Sequence, residues 1–244
     1  MSSHPDKFQR KPHAVLDAAS RRLKALKIER LLDLTPGTKP IRMLEIGCGI
    51  GGISHYFGTH TGLECDVDAV DVVDLRQLKE GYRFTRVSGT ELPFPDASFD
   101  VVISNHVIEH VGDRSSQAHH LSEVRRVMKR GGRGYLAVPN RWQLVEPHYG
   151  LAFLSWLPHA LRTPYLRLMN KGWFYDCEPL TVVELESLLC KAGFEFDNVC
   201  VDAARLTFAL ERPDSAIISF LLRMPIPILN RTKSIIPTLI YVLR

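Results

Sequence analysis

The sequence predicts a doubly wound α/β fold on a mostly parallel seven-stranded sheet. Short apolar runs alternate with amphipathic stretches at the pitch of strand–helix–strand units. The first run, Ile41 to Ile46, leads straight into a glycine-rich turn, Gly47-Cys48-Gly49-Ile50-Gly51-Gly52. The fourth, Phe99-Asp100-Val101-Val102-Ile103-Ser104, is almost continuously apolar, as a strand covered on both faces must be.

Taken in order, Val15, Leu16, Ala19, Leu23, Leu26, Ile28, Leu31 and Leu32 have helical spacing over 14–34. They predict a helical N-terminal extension within 1–35, stopped by Thr35-Pro36-Gly37. Strands are expected at 41–46, 67–73, 82–87, 99–104, 134–138, 194–201 and 239–243, with a helix opening over 53–57. The spacing of Leu121, Val124, Val127 and Met128 predicts a helix over 115–130. Basic residues and Gly131-Gly132 would cap its end. A further helix over 181–192 carries Val182, Leu185, Leu188 and Leu189 and closes at Gly193.

Two segments interrupt this rhythm within a single domain of 1–244. Residues 140–178 hold all three tryptophans and eight aromatic rings in all, which marks an insertion after the fifth strand with its own packing. Residues 202–236 form an apolar insertion before the last strand. Segments 216–229 and 235–243 in this region are apolar and punctuated by Arg223, Arg231, Lys233 and Arg244. Such patches edged by positive charge suit peripheral membrane contact. A homodimer interface or a covered core would give the same pattern.

Composition excludes other classes. Of 244 residues, 45% are hydrophobic and 24% charged, so disorder, collagen and a coiled-coil rod are ruled out. The 31 Lys+Arg against 27 Asp+Glu leave a net charge of only +4, too little to argue for nucleic acid. The cluster Arg125, Arg126, Lys129, Arg130 and Arg133 reads as a solvated helix end complementing the dipole, and no nucleic-acid partner is expected. Cys48, Cys65, Cys177, Cys190 and Cys200 form no CxxC and read as free thiols of a reducing compartment. No apolar stretch follows the basic start, and none reaches the ~20 residues of a spanning helix. A cytoplasmic protein, at most membrane-associated, is the expectation.

Read literally, Gly47-x-Gly49-x-x-Gly52 suggests a dinucleotide site. Glu45 argues against that, because a carboxylate so close would repel a pyrophosphate. With Glu45 included, Glu45-Ile46-Gly47-Cys48-Gly49-Ile50-Gly51 resembles the (D/E)xGxGxG motif of the class I S-adenosylmethionine-dependent methyltransferases, whose fold is Rossmann-like. The resemblance extends through Asp71 at the end of the second strand and Gly89-Thr90-Glu91-Leu92-Pro93-Phe94. It then runs along Ser98 to Val111, in the form typical of the branch called type 11. It covers 41–140 well and 179–200 loosely.

The resemblance implies S-adenosyl-L-methionine as cofactor, held by Glu45, Gly47, Cys48, Gly49, Asp71, Val72, Thr90, Glu91 and Asn105. Glu45 would sit near the donor's ammonium, and Asp71 would accept from the ribose hydroxyls in preference to Asp68 or Asp74. Thr90 and Glu91 would flank the adenine, and Asn105 would lie near the methyl. It also implies methyl transfer, with oxygen the usual nucleophile.

An oxygen nucleophile of high pKa needs a base, and histidine is suited to neutral pH. The candidates beyond the fourth and fifth strands are His106, His110 and His148, with Glu146 beside the last. His148, at the mouth of the aromatic insertion, is favoured. His106-Val107-Ile108-Glu109-His110 also spells HxxEH, but that zinc signature needs a helix, and no metal is expected from it. The acceptor is expected to be an apolar, lipid-linked or glycan-precursor molecule. Alternatives are a small soluble secondary metabolite, or a non-catalytic binding protein built on the same fold.

Overall fold

A computed structural model describes residues 18–60, 62–211 and 236–244. The chain opens with helix α1 (Ala18–Leu31), then β1 (Ile41–Ile46), α2 (Gly52–Gly58), β2 (Cys65–Asp71), β3 (Tyr82–Arg86) and β4 (Phe99–Asn105). A 3-10 turn at Ile108–His110 precedes α3 (Arg114–Val127) and β5 (Met128–Pro139). The interrupting segment contains a small hairpin, β6 (Val145–Glu146) with β7 (Leu151–Ala152), and α4 (His159–Leu168). Next come α5 (Val182–Lys191), β8 (Phe196–Asn198), α6 (Cys200–Glu211) and β9 (Thr238–Leu243).

Seven strands form one sheet in the order β3-β2-β1-β4-β5-β9-β8. The first five are parallel, and β9 lies antiparallel between β5 and β8. The apolar β4 is central, as its sequence required. One face of the sheet buries Leu44, Val102 and Leu136 against Leu121 and Val124 of α3 and Leu185 and Leu189 of α5. The other buries Met43, Ile103 and Tyr135 with Ile28 of α1 and Ile53 and Phe57 of α2. Strand order reverses between β1 and β4, so the crevice above their carboxyl ends is where ligands bind in such sheets.

Several expected boundaries shift for identifiable reasons. The third helix ends at Val127 instead of 130, because Ala97 and Ser98 donate to the carbonyls of Arg126 and Val127 and draw the chain into β5. Gly131 and Gly132 are therefore no cap. They lie in an irregularity where β5 is longer than the part of β4 it faces, between the Phe99–Met128 and Val101–Arg133 pairs. Of the basic cluster only Arg125 and Arg126 occupy the last helical turn. Arg126 is tied to Glu123 and Asp96, and Lys129 to Asp100 at 2.8 Å.

The second strand stops at Asp71, where the side chain accepts from Val73 N at 3.3 Å and turns the chain. The strand expected over 194–201 is only Phe196–Asn198. Asn198 Oδ1 accepts from Cys200 N, and α6 begins there. The described part of the apolar insertion is thus α6, packed on α1 through Lys27 and Thr207. Segment 216–229, with Arg223, and likewise Arg231 and Lys233, lie outside the described residues, as do 14–17. The aromatic insertion does have its own small core, made by Leu151, Leu154, Leu166, Tyr175 and Cys177.

Candidate functional site

The glycine turn joins β1 to α2 with Gly47, Gly49 and Gly51 all at positive φ. At Gly47 (φ 73) a Cβ would collide with Val107 of the segment after β4, and at Gly51 (φ 84) with Tyr82 and the Leu78 carbonyl. Glycine is required at both positions by backbone geometry and by close approach. Glu45, at the end of β1, is buried beneath this turn. Its carboxylate accepts from Ser54 N at 2.8 Å and from the Ser54 hydroxyl, inside the first turn of α2. Burial pushes the Glu45 carboxyl up to about 7, against the pull of Ser54 and Arg21. Cys48 is buried in the turn, and burial beside Glu45 and Asp71 pushes its thiol up.

Asp71 closes the turn from the side. Its Oδ2 accepts from Gly49 N at 2.8 Å, while Val72 behind it is exposed. The two competing acids are committed elsewhere: Asp68 is gripped by Arg83 at 2.9 Å, and Asp74 by Arg76. Thr90 Oγ1 lies 2.7 Å from His119 Nδ1, and Glu91 is exposed. Asn105 ends β4, and its Oδ1 is buried with no hydrogen-bond partner. Three glycines at positive φ, two carboxylates and an orphaned amide oxygen thus lie at the carboxyl ends of β1, β2 and β4, where the strand order reverses. These residues fit S-adenosylmethionine, which carries an ammonium and a ribose diol.

A second group of side chains gathers beside this crevice, brought together by the segment after β4, the hairpin and the approach to α5. His106 has φ 58, rare for a non-glycine residue, and its Nδ1 stands 3.3 Å from Glu109 Oε1. Glu109 is fully buried, and His106 and His110 hold its carboxyl below the ordinary range despite that burial. His148 is half-buried, its Nδ1 2.6 Å from Glu146 Oε1. Glu146 Oε2 accepts from Tyr149 N, so the acid is fixed by its own hairpin. Burial pulls the His148 imidazole down, but Glu146, with Glu109 and Asp176 nearby, outweighs it and raises the pKa.

The His110 and His148 rings meet edge to face at 5.2 Å. Cys177 Sγ lies 3.7 Å from His110 Nδ1 and 3.9 Å from His148 Nδ1. His148 and His110 are thus brought together, whereas His106 touches the group only through Glu109. Within the HxxEH stretch only Ile108–His110 are helical, as a single 3-10 turn. Glu109, Asp176 and Cys177 were not singled out as site residues from sequence. Glu109 was visible inside the HxxEH spelling, while Asp176 and Cys177 carried no signal.

Residues 44–136 match the family model described as a methyltransferase domain. A probable S-adenosylmethionine-dependent methyltransferase of Mycolicibacterium smegmatis is 39% identical over 160 residues, 64% of this chain and 52% of that protein. A fatty-acid O-methyltransferase of the same organism is 36% identical over 97 residues, 37% of this chain and 34% of that one. The chain thus spans a third to a half of the curated relatives it matches here. Among solved structures, an S-adenosylmethionine-dependent methyltransferase of Methanosarcina mazei has a TM-score of 0.52 at 18% identity, covering 85% of this chain and 94% of its own. That last likeness shows the same fold. Glycine turn, strand order and family match converge: residues 44–136 are similar to a methyltransferase domain, and the chain's relatives include a probable S-adenosylmethionine-dependent methyltransferase.

Proposed function

We propose that the chain transfers a methyl group from S-adenosylmethionine to a hydroxyl of an apolar, lipid-linked or glycan-precursor acceptor, with His148 as the base that receives the hydroxyl proton. The observation that carries the acceptor-side reading is the 2.6 Å pairing of His148 with Glu146, at a hairpin opening onto the exposed aromatic insertion. The cofactor supplies a methyl on a sulfonium, already a good leaving group, so placement of the nucleophile sets much of the rate.

Glu45 would neutralise the donor's ammonium and Asp71 would accept from its ribose hydroxyls. Gly47, Cys48 and Gly49 would give the backbone room, and Asn105 Oδ1 would find its missing partner on the donor. Val72, Thr90 and Glu91 would border the adenine side. On the acceptor side, Glu146 orients the His148 imidazole and stabilises its protonated form, and His110 packs against the same ring.

The exposed apolar surface of the insertion supports an apolar acceptor. Trp173 is 67% and Phe174 61% exposed, beside Arg167 and Lys171. Aromatic rings with a basic rim suit approach to a membrane surface. No helix among the described residues is long and apolar enough to cross a membrane. The relative named as a fatty-acid O-methyltransferase is consistent with an apolar acceptor. The test is label transfer from methyl-tritiated cofactor into an extract of the source cells. Label in the organic phase or in glycan-containing material supports the reading, and label only in glycan-free water-soluble material rejects it in favour of a soluble metabolite.

A further inference from the structure

We propose that Glu109, His110 and His148 form a binding site for one first-row divalent cation of the zinc class. One ligand atom from each of the three lies within 4.8 Å of the other two. His110 Nε2 is 4.0 Å from Glu109 Oε1. Ligands of a tetrahedral zinc, each about 2.0–2.1 Å from the metal, stand about 3.3 Å apart. Side-chain rotations of the order of an ångström would therefore complete the coordination.

Glu109 supplies a second and independent reason. It is 0% exposed, His106 Nδ1 stands 3.3 Å from Oε1 without hydrogen-bond geometry, and neither carboxylate oxygen has a hydrogen-bond partner of normal geometry. An ionised carboxylate so placed is costly unless it is paired or coordinates a metal. A divalent ion between it and two imidazoles satisfies it.

The surroundings have the form of an outer ligand shell. Glu146 holds His148 Nδ1 at 2.6 Å, the carboxylate–histidine arrangement that fixes a ligating imidazole and directs Nε2 to the ion. His110 Nδ1 lies 3.7 Å from Cys177 Sγ, which is itself 3.7 Å from Asp176 Oδ1. Two imidazoles and one carboxylate select zinc, cobalt or ferrous iron over magnesium or calcium, which prefer oxygen ligands alone. Three protein ligands leave one position open.

The set differs from the HxxEH signature, which would use His106 and His110 from a helix. Here His106 is outside the group, and the third ligand comes from the hairpin of the insertion. With the ion bound, His148 coordinates it and no longer acts as a base. A hydroxyl in the open position would then release its proton to water under the influence of the ion. Metal binding and base catalysis by His148 are thus alternative states of one cluster.

The experiment is a titration of the full chain, stripped with chelator and dialysed, with Zn2+ by calorimetry and with Co2+ by visible absorption. One ion per chain is expected. Glu109→Gln and His148→Ala should each weaken it about 100-fold or more, and Glu146→Gln by roughly 10–100-fold, the range for outer-shell partners. Absence of stoichiometric binding to the unaltered chain overturns the proposal, as does binding unchanged in both Glu109→Gln and His148→Ala. The readout is the ion itself, so a negative result leaves the methyl-transfer reading standing, and loss of methyl transfer leaves the ion result intact.

Discussion

Asp71 Oδ2 accepts a hydrogen bond from Gly49 N at 2.8 Å, linking the end of β2 to the glycine turn after β1. The same carboxylate is therefore both a brace for the turn and the proposed acceptor for the ribose hydroxyls. Asp71→Asn keeps an oxygen for Gly49 and loses the charge, whereas Asp71→Ala loses both. Cofactor affinity should fall by about 1–3 kcal/mol in the alanine variant and by less in the asparagine variant. Equilibrium binding of S-adenosylhomocysteine to the two proteins measures this, and equal affinity in all three removes Asp71 from the site.

Glu45 predicts a pH dependence of stability. Its folded pKa of about 7 lies above the ordinary value of 4.5, so folding favours its protonated form. The associated stability is fully present below about pH 4.5 and is lost as pH rises through 7. The magnitude is of the order of 3 kcal/mol, at 1.36 kcal/mol per pKa unit. Urea midpoints between pH 5 and 8 should show this decline, and Glu45→Gln should flatten it. If a cationic ammonium binds beside Glu45, cofactor binding near neutral pH releases a proton. Calorimetry in buffers of different ionisation enthalpy detects that release.

Gly47→Ala tests the turn directly. The position has φ 73, and a new methyl would meet Val107. A destabilisation of about 1–3 kcal/mol is expected from the strained backbone alone, together with weaker cofactor binding. Gly37→Ala is exposed, with its nearest atom 3.7 Å away, and should leave both unchanged. A denaturant series on the two variants distinguishes local strain from a general effect of added bulk.

If His148 is the base, the acid limb of the turnover profile should lie above the ordinary imidazole pKa of about 6.5, because Glu146 favours the protonated ring. Glu109 and Asp176 act in the same direction, and the His110 ring packs against it. Glu146→Gln should move that limb to lower pH while leaving cofactor affinity unchanged. His148→Ala should cut turnover without changing cofactor affinity. Wild-type turnover in His148→Ala assigns the proton to another acceptor.

The strand and helix rhythm and the glycine turn were legible in sequence, because each is a local pattern: a buried apolar run and a positive-φ requirement. Asp71 was singled out from Asp68 and Asp74 by the family resemblance. The helix end at Val127 was not legible, because it is set by Ala97 and Ser98, which approach through the fold. Nor was the partnership of His110 with Cys177, which are distant in sequence and share no motif. His148 and Glu146 were both candidates by their place after β5, but the 2.6 Å bond between them required the hairpin turn.

Isothermal titration with S-adenosylmethionine and S-adenosylhomocysteine, with NAD+ as comparison, tests the central claim most directly. One site per chain of micromolar affinity for both sulfur ligands, and none for NAD+, is the expected result. Absence of binding to either sulfur ligand by the folded chain would contradict it and leave a methyltransferase fold serving as a binding protein.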